Sequence, residues 1–85
     1  MILYLAHALE ALEKRGLRQE WIEVTVNHPD WQEVDPVHPD RTRSYKAIEA
    51  LEGRILRVIH WRDGGNIVVL TAYPDRDALK RKAEQ

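Results

Sequence analysis

The chain has 85 residues, a formal net charge of −1 and no cysteine, which fits one small domain over 1–85 whose stability is marginal unless a partner contributes. Without cysteine there is no disulfide framework, thiolate metal site or cysteine nucleophile. No apolar run approaches the ~20 residues that span a bilayer, and the opening residues lack a basic leader, so no signal peptide or membrane contact is expected and a cytoplasmic protein is.

Residues 2–15 read as a helix. Leu5, Leu9 and Leu12 recur at helical spacing, Ile2 and Ala8 flank that face, and His7, Ala11 and Lys14 lie beside it. Gly16 supplies a left-handed stop, and Lys14 and Arg15 complement the helix dipole. Residues 18–27 predict a second helix with Trp21, Ile22, Thr25 and Val26 inward, ended at Pro29. The β-branched run Val24-Thr25-Val26 suits a strand equally well, and Arg18 is a poor cap, so this helix depends on packing.

His28-Pro29-Asp30 and His38-Pro39-Asp40 repeat one tripeptide. Their acidic, strand-like flanks make both Pro-Asp turns, and no third ligand at suitable spacing makes His28 and His38 a metal site. Residues 31–34 predict an edge strand ended by Asp35-Pro36. Residues 41–48 alternate as a strand, with Arg41, Arg43 and Tyr45 on one face. Glu52-Gly53 then turns into the strongest local signal in the chain.

That signal is Asp63-Gly64-Gly65-Asn66 between two runs rich in Val, Ile and aromatics, a hairpin pairing residues 54–62 with 67–73. A strict two-residue turn places Val58 opposite Thr71. One extra residue in the turn instead places Arg57 on the face of Thr71 and Tyr73. The bulged register is preferred because it sorts Leu56, Val58, Val68, Leu70 and Ala72 onto a face for helices. Arg57, Ile59, Trp61, Thr71 and Tyr73 are then left on the open face. Asp75 can cap a short basic helix or tail over 75–85, expected to fray at its end. The fold expected is α+β: two N-terminal helices packed on a four-stranded antiparallel sheet, with a short C-terminal helix.

Charge divides unevenly. Residues 1–40 hold three Lys or Arg against eight Asp or Glu, and residues 41–85 hold ten against six. The sheet half is therefore the cationic surface, suited to a polyanion. Metal-independent RNA cleavage needs an acid/base pair and cations for the charged transition state. His7 or His60 are the acid/base candidates. Arg43, Arg54 and Arg57 are the phosphate ligands, and Tyr45 or Tyr73 the base-stacking rings.

Four stretches resemble a known family. They are His7-Ala8 with Leu12 and Arg15-Gly16-Leu17; Trp21-Ile22-Glu23 with Asn27-His28-Pro29-Asp30; Arg54-Ile55-Leu56-Arg57-Val58; and Val69-Leu70-Thr71-Ala72-Tyr73 before Asp75-Arg76. Together they are similar to the family catalogued as domain of unknown function 4258, which distantly resembles the RelE/ParE-like toxins. That resemblance implies helices packed on an antiparallel sheet, an RNA-facing sheet, endoribonuclease activity and an antitoxin partner. It makes His7, Arg57, Thr71 and Tyr73 the catalytic set, with Arg43, Tyr45, Arg54 and Arg57 binding nucleic acid and no cofactor. One departure is Ala11, where the family usually carries Arg or Lys.

The alternative expectation is a non-catalytic interaction module of the same fold. Ile59, Trp61, Ile67 and Val69 beside Arg57 and Tyr73 compose an aromatic, aliphatic and Arg surface of the kind enriched at interfaces. A homodimer or an antitoxin segment would cover it.

Overall fold

The two runs on either side of Gly64-Gly65 form the long hairpin at the centre of the sheet, β4 (Arg54–Asp63) and β5 (Asn66–Pro74). The computed structural model describes residues 1–83. Asp63 pairs with Asn66, so the turn has two residues, and Gly64 takes a φ of 61° that a side chain would strain. Ahead of the hairpin come β1 (Ile2–Tyr4), α1 (Ala6–Arg15), α2 (Gln19–Asn27), β2 (Trp31–Val34) and β3 (Thr42–Ile48), and α3 (Ala78–Ala83) follows.

The hairpin contains a bulge within β5 and none in the turn. From Asp63 back to His60 the ladder runs without interruption to Val69; Ile59 then pairs with Thr71, so Leu70 has no partner. Arg57 therefore lies opposite Tyr73, as the preferred register requires, but the sorting of β5 differs from expectation. Ile67, Val69 and Ala72 face the helices with Leu56 and Val58, while Val68 pairs with Trp61 on the other face. Ile67 and Val69 accordingly belong to the core and not to an open interaction surface. Residues 67–70 are all apolar, so no alternation in the sequence marks which of them point inward.

The sheet is five-stranded and mixed, in the order β1-β5-β4-β3-β2. The expected four-stranded antiparallel sheet lacks β1, which pairs in parallel with β5 through Ile2–Ile67, Leu3–Val68 and Tyr4–Val69. Residues 2–4 are strand where a helix was expected, and Leu5 N–H donates to Val69 O at 3.1 Å before α1 begins. Three residues are too few to display a period, and their pairing partner lies more than sixty positions away.

β1 and β2 occupy opposite edges, so α1 and α2 cross one face of the sheet between them. α1 buries Ala8, Ala11 and Leu12, whereas Leu5 and Leu9 are 38% and 47% exposed. The small alanines let the helix lie close to the sheet, a choice that leucine periodicity does not reveal. α2 buries Ile22, Thr25 and Val26, with Trp21 partly covered. These residues join Leu56, Val58 and Val69 in one core, each large aliphatic contributing about 1.5–3 kcal/mol.

The other face is partly covered too. α3 lays Ala78 against Tyr45 and Ile55, with Trp31 alongside, so the helices do not all sit on one side. The fraying expected at the C-terminus concerns residues 84–85, which lie outside the described residues.

Candidate functional site

Arg57 stands at the centre of the face opposite α1 and α2, between its ladder partners Tyr45 on β3 and Tyr73 on β5. Its guanidinium carbon lies 5.7 Å from the Tyr45 ring centroid and 5.4 Å from that of Tyr73. Nη1 donates to Asp75 Oδ2 at 3.1 Å, and Nε is buried with no partner among the described residues. A buried cation without a partner costs several kcal/mol, so Asp75 holds Arg57 in the folded state. The carboxylate is itself positioned by the chain: Asp75 N–H donates to Ile55 O at 2.8 Å, and Asp77 N–H donates to Asp75 Oδ1 at 3.1 Å.

A second guanidinium approaches the same site from the helical layer. Arg15, in the last turn of α1, lies 5.7 Å from the Tyr73 centroid. Tyr73 is only partly buried, and its ring has one cation from α1 and one from β4 close to it. Thr71, opposite Ile59, is on the face of Tyr73 and also partly buried.

Tyr45 is placed differently from what base stacking needs. It has no exposed surface and stacks on Trp31 with centroids 4.7 Å apart and planes 6° from parallel. Its hydroxyl donates to Glu33 Oε2 at 3.2 Å, and the Lys82 ammonium lies 4.6 Å from the Trp31 centroid. The ring is part of the wall behind Arg57 and offers no face to a nucleobase.

Arg43 lies on the Arg57 face, opposite Ile59, but its Nε donates to Asp35 Oδ2 at 3.2 Å. Asp35 also accepts from the Val37 and His38 N–H groups, each at 2.9 Å. Those two hydrogen bonds, from His38 first and then Val37, hold its carboxyl down at about 2. Arg54 pairs with Ile48, so it has the parity of the helix-covered face, and its exposed side chain donates to Leu51 O at 3.1 Å. It does not join Arg57.

The histidines part company as well. His60 is opposite Val69 on the helix-covered face, 4% exposed, and alternation along β4 separates it from Arg57. Its Nε2 is 2.7 Å from Ser44 Oγ. Burial, and secondarily the charge of Arg62, lowers its pKa below the ordinary value. His7 is exposed in the first turn of α1, about 12 Å along the helix from Arg15 at the standard rise. Ala11, one turn on from His7, is 3% exposed; the departure at this position is a packing residue against the sheet.

The residues that sequence reasoning missed are Arg15 and Asp35. Each had been read as local punctuation, a helix end and a turn, and local roles carry no sign of long-range partners.

The matching family is described as Domain of unknown function (DUF4258), over residues 4–74, and the chain belongs to it. No curated protein and no solved structure matches.

Proposed function

We propose that this family member is a toxin-like RNA-binding domain that takes single-stranded RNA across the Tyr73 side of the face opposite α1 and α2. One observation carries the reading: the partly exposed Tyr73 ring has the guanidinium groups of Arg15 and Arg57 at 5.7 and 5.4 Å from its centroid. A nucleobase stacks on an aromatic ring while arginines take the flanking phosphates, the combination used for single strands. The excess of basic residues after residue 40 supports the same surface. The distant resemblance to RelE/ParE-like toxins supports the same substrate class. Asp75 competes for Arg57, so affinity rests first on Arg15 and Tyr73. His7, about 12 Å along α1 from Arg15, stands apart from Arg57, Thr71 and Tyr73, so the role proposed for this face is binding.

The test is anisotropy of a labelled single-stranded RNA at low salt. Arg15→Ala and Tyr73→Ala each weaken binding, and Arg15→Ala also reduces the salt slope by about 0.7, the value for one phosphate on a single strand. His7→Ala, distant from Tyr73, leaves binding intact. Absence of binding by the wild-type protein at low salt sinks the reading.

A second reading, a partner-binding module, is favoured by a different observation. Leu5 and Leu9, one turn apart at the start of α1, are 38% and 47% exposed, as an antitoxin segment or a second copy would require. Sedimentation of the isolated chain at high concentration distinguishes self-association from a need for another protein.

A further inference from the structure

The Asp75 carboxylate holds two things at once. Its Oδ2 accepts from Arg57 Nη1, and its Oδ1 accepts from the Asp77 N–H at the entrance to α3, each at 3.1 Å. The Asp75 N–H is fixed separately to Ile55 O at 2.8 Å, so its backbone stays on the sheet wherever the carboxylate points. An anion that takes Arg57 leaves this carboxylate without the cation that compensates its burial. Turning it out to water then breaks the bond to Asp77 as well.

Little else holds α3 down. It has six residues, well short of the ~12 that a helix needs to persist alone in water. Ala78, 2% exposed, packs on Tyr45 and Ile55, and the Lys82 ammonium lies 4.6 Å from the Trp31 centroid. Leu79, its large aliphatic residue, is 57% exposed. That leucine, with Arg76, instead lines a cavity of about 220 Å³ shared with Gly53 and Arg54. A helix fastened by one alanine and by charges is open to competition from another charge.

The buried ion pair favours such an exchange. Desolvation of both ions offsets most of their attraction, so the pair adds little net stability, whereas an unmatched Arg57 is costly. A phosphate in place of the carboxylate keeps the arginine compensated and avoids that cost. Arginine also suits phosphate geometry.

We propose that residues 75–83 are a latch across Arg57, opened by single-stranded RNA, resting on the RNA-binding role already proposed. A backbone phosphate replaces the Asp75 carboxylate on Arg57, α3 loses its entrance bond, and Ala78 and Lys82 leave Tyr45 and Trp31. The strand then has a second phosphate seat beside the one at Arg15 and Tyr73. Arg76, Lys80 and Lys82, carried on the released segment, add cations to the bound strand. Closed, the latch lowers affinity, because binding at Arg57 must first displace it.

The experiment is an NMR titration of the whole chain at low salt with an oligouridylate of ~8 nucleotides, within usual single-strand site sizes. The Asp77 and Leu79 amides and the Trp31 indole report the latch, and the Tyr73 ring reports the RNA surface. Ala78→Gln, too bulky for its seat on Tyr45, holds the latch open. Ala78→Gly loosens it without added bulk, and decides the matter if the first variant misfolds. In the wild type the three latch signals move on binding toward their positions in the free Ala78→Gln protein. Both variants bind the oligouridylate tighter, Ala78→Gln by about 5-fold or more. Wild-type binding that moves Tyr73 and leaves the latch signals in place overturns the latch while the RNA role stands. Variants no tighter than the wild type do the same. If none of the three proteins binds, the RNA role itself falls and the latch with it.

Discussion

Arg57 and Asp75 form a buried ion pair, Nη1 to Oδ2 at 3.1 Å with side chains 10% and 7% exposed, and it ties the centre of the sheet to the segment leading into α3. Removing one partner leaves a buried charge unmatched, so Asp75→Ala should lower unfolding stability by about 3–5 kcal/mol in urea. Replacing both residues with leucine should recover a large part of that loss. If Arg57 meets RNA, Asp75→Asn should also tighten binding at low salt, because the competing carboxylate charge is gone.

Tyr45 and Tyr73 flank the same arginine but should respond oppositely to truncation. Tyr45 is fully buried against Trp31, so Tyr45→Ala should destabilise by about 3–5 kcal/mol, the range for a buried aromatic. Tyr73→Ala should leave the fold intact by circular dichroism and weaken RNA binding. Equal loss of stability at both positions contradicts this division.

Stability should fall on mild acidification because of His60. Burial lowers its folded pKa below the ordinary 6.5, so the unfolded chain binds the proton first. The sign follows: stability is complete above about 6.5 and is lost as pH drops from there toward the lower folded value. Urea midpoints measured between neutral pH and pH 5 should show the slope, and His60→Asn should flatten it.

Asp35 produces a separate acid limb. Its folded pKa of about 2 lies below the ordinary 3.8, so its contribution is present above 3.8 and disappears as pH falls toward 2. Asp35→Ala should remove that limb and speed hydrogen exchange at the Val37 and His38 amides, which lose their acceptor.

Leu70 is the one residue of β5 without a partner between Val69 and Thr71. Deleting it leaves His60–Val69 and Ile59–Thr71 as successive pairs, so the chain should still fold with Arg57 opposite Tyr73. Cross-strand nuclear Overhauser effects between those residues check it. Deleting Val68 instead should shift Ile67 off the core face and unfold the protein.

What was legible in the sequence was local. The glycine-turn hairpin, the helix over Gln19–Asn27, the strands at Trp31–Val34 and Thr42–Ile48, and the opposition of Arg57 and Tyr73 follow from turn chemistry and from periods of 2 and 3.6, which neighbouring residues suffice to express, although the extra residue was expected in the turn and lies in β5. What only the tertiary structure decided was non-local. Residues 2–4 are a strand because β5 offers an edge to pair with. The bulge falls at Leu70 because α1 and the core admit Val69 and Ala72, in a run too uniformly apolar to announce its own phase. At the candidate site the sequence named Arg57 and Tyr73. It could not show that Arg15 reaches the tyrosine from another layer or that Trp31 buries Tyr45. Those pairings join residues distant along the chain, and the energy that selects them, the desolvation of a buried charge or ring, exists only once the layers have closed.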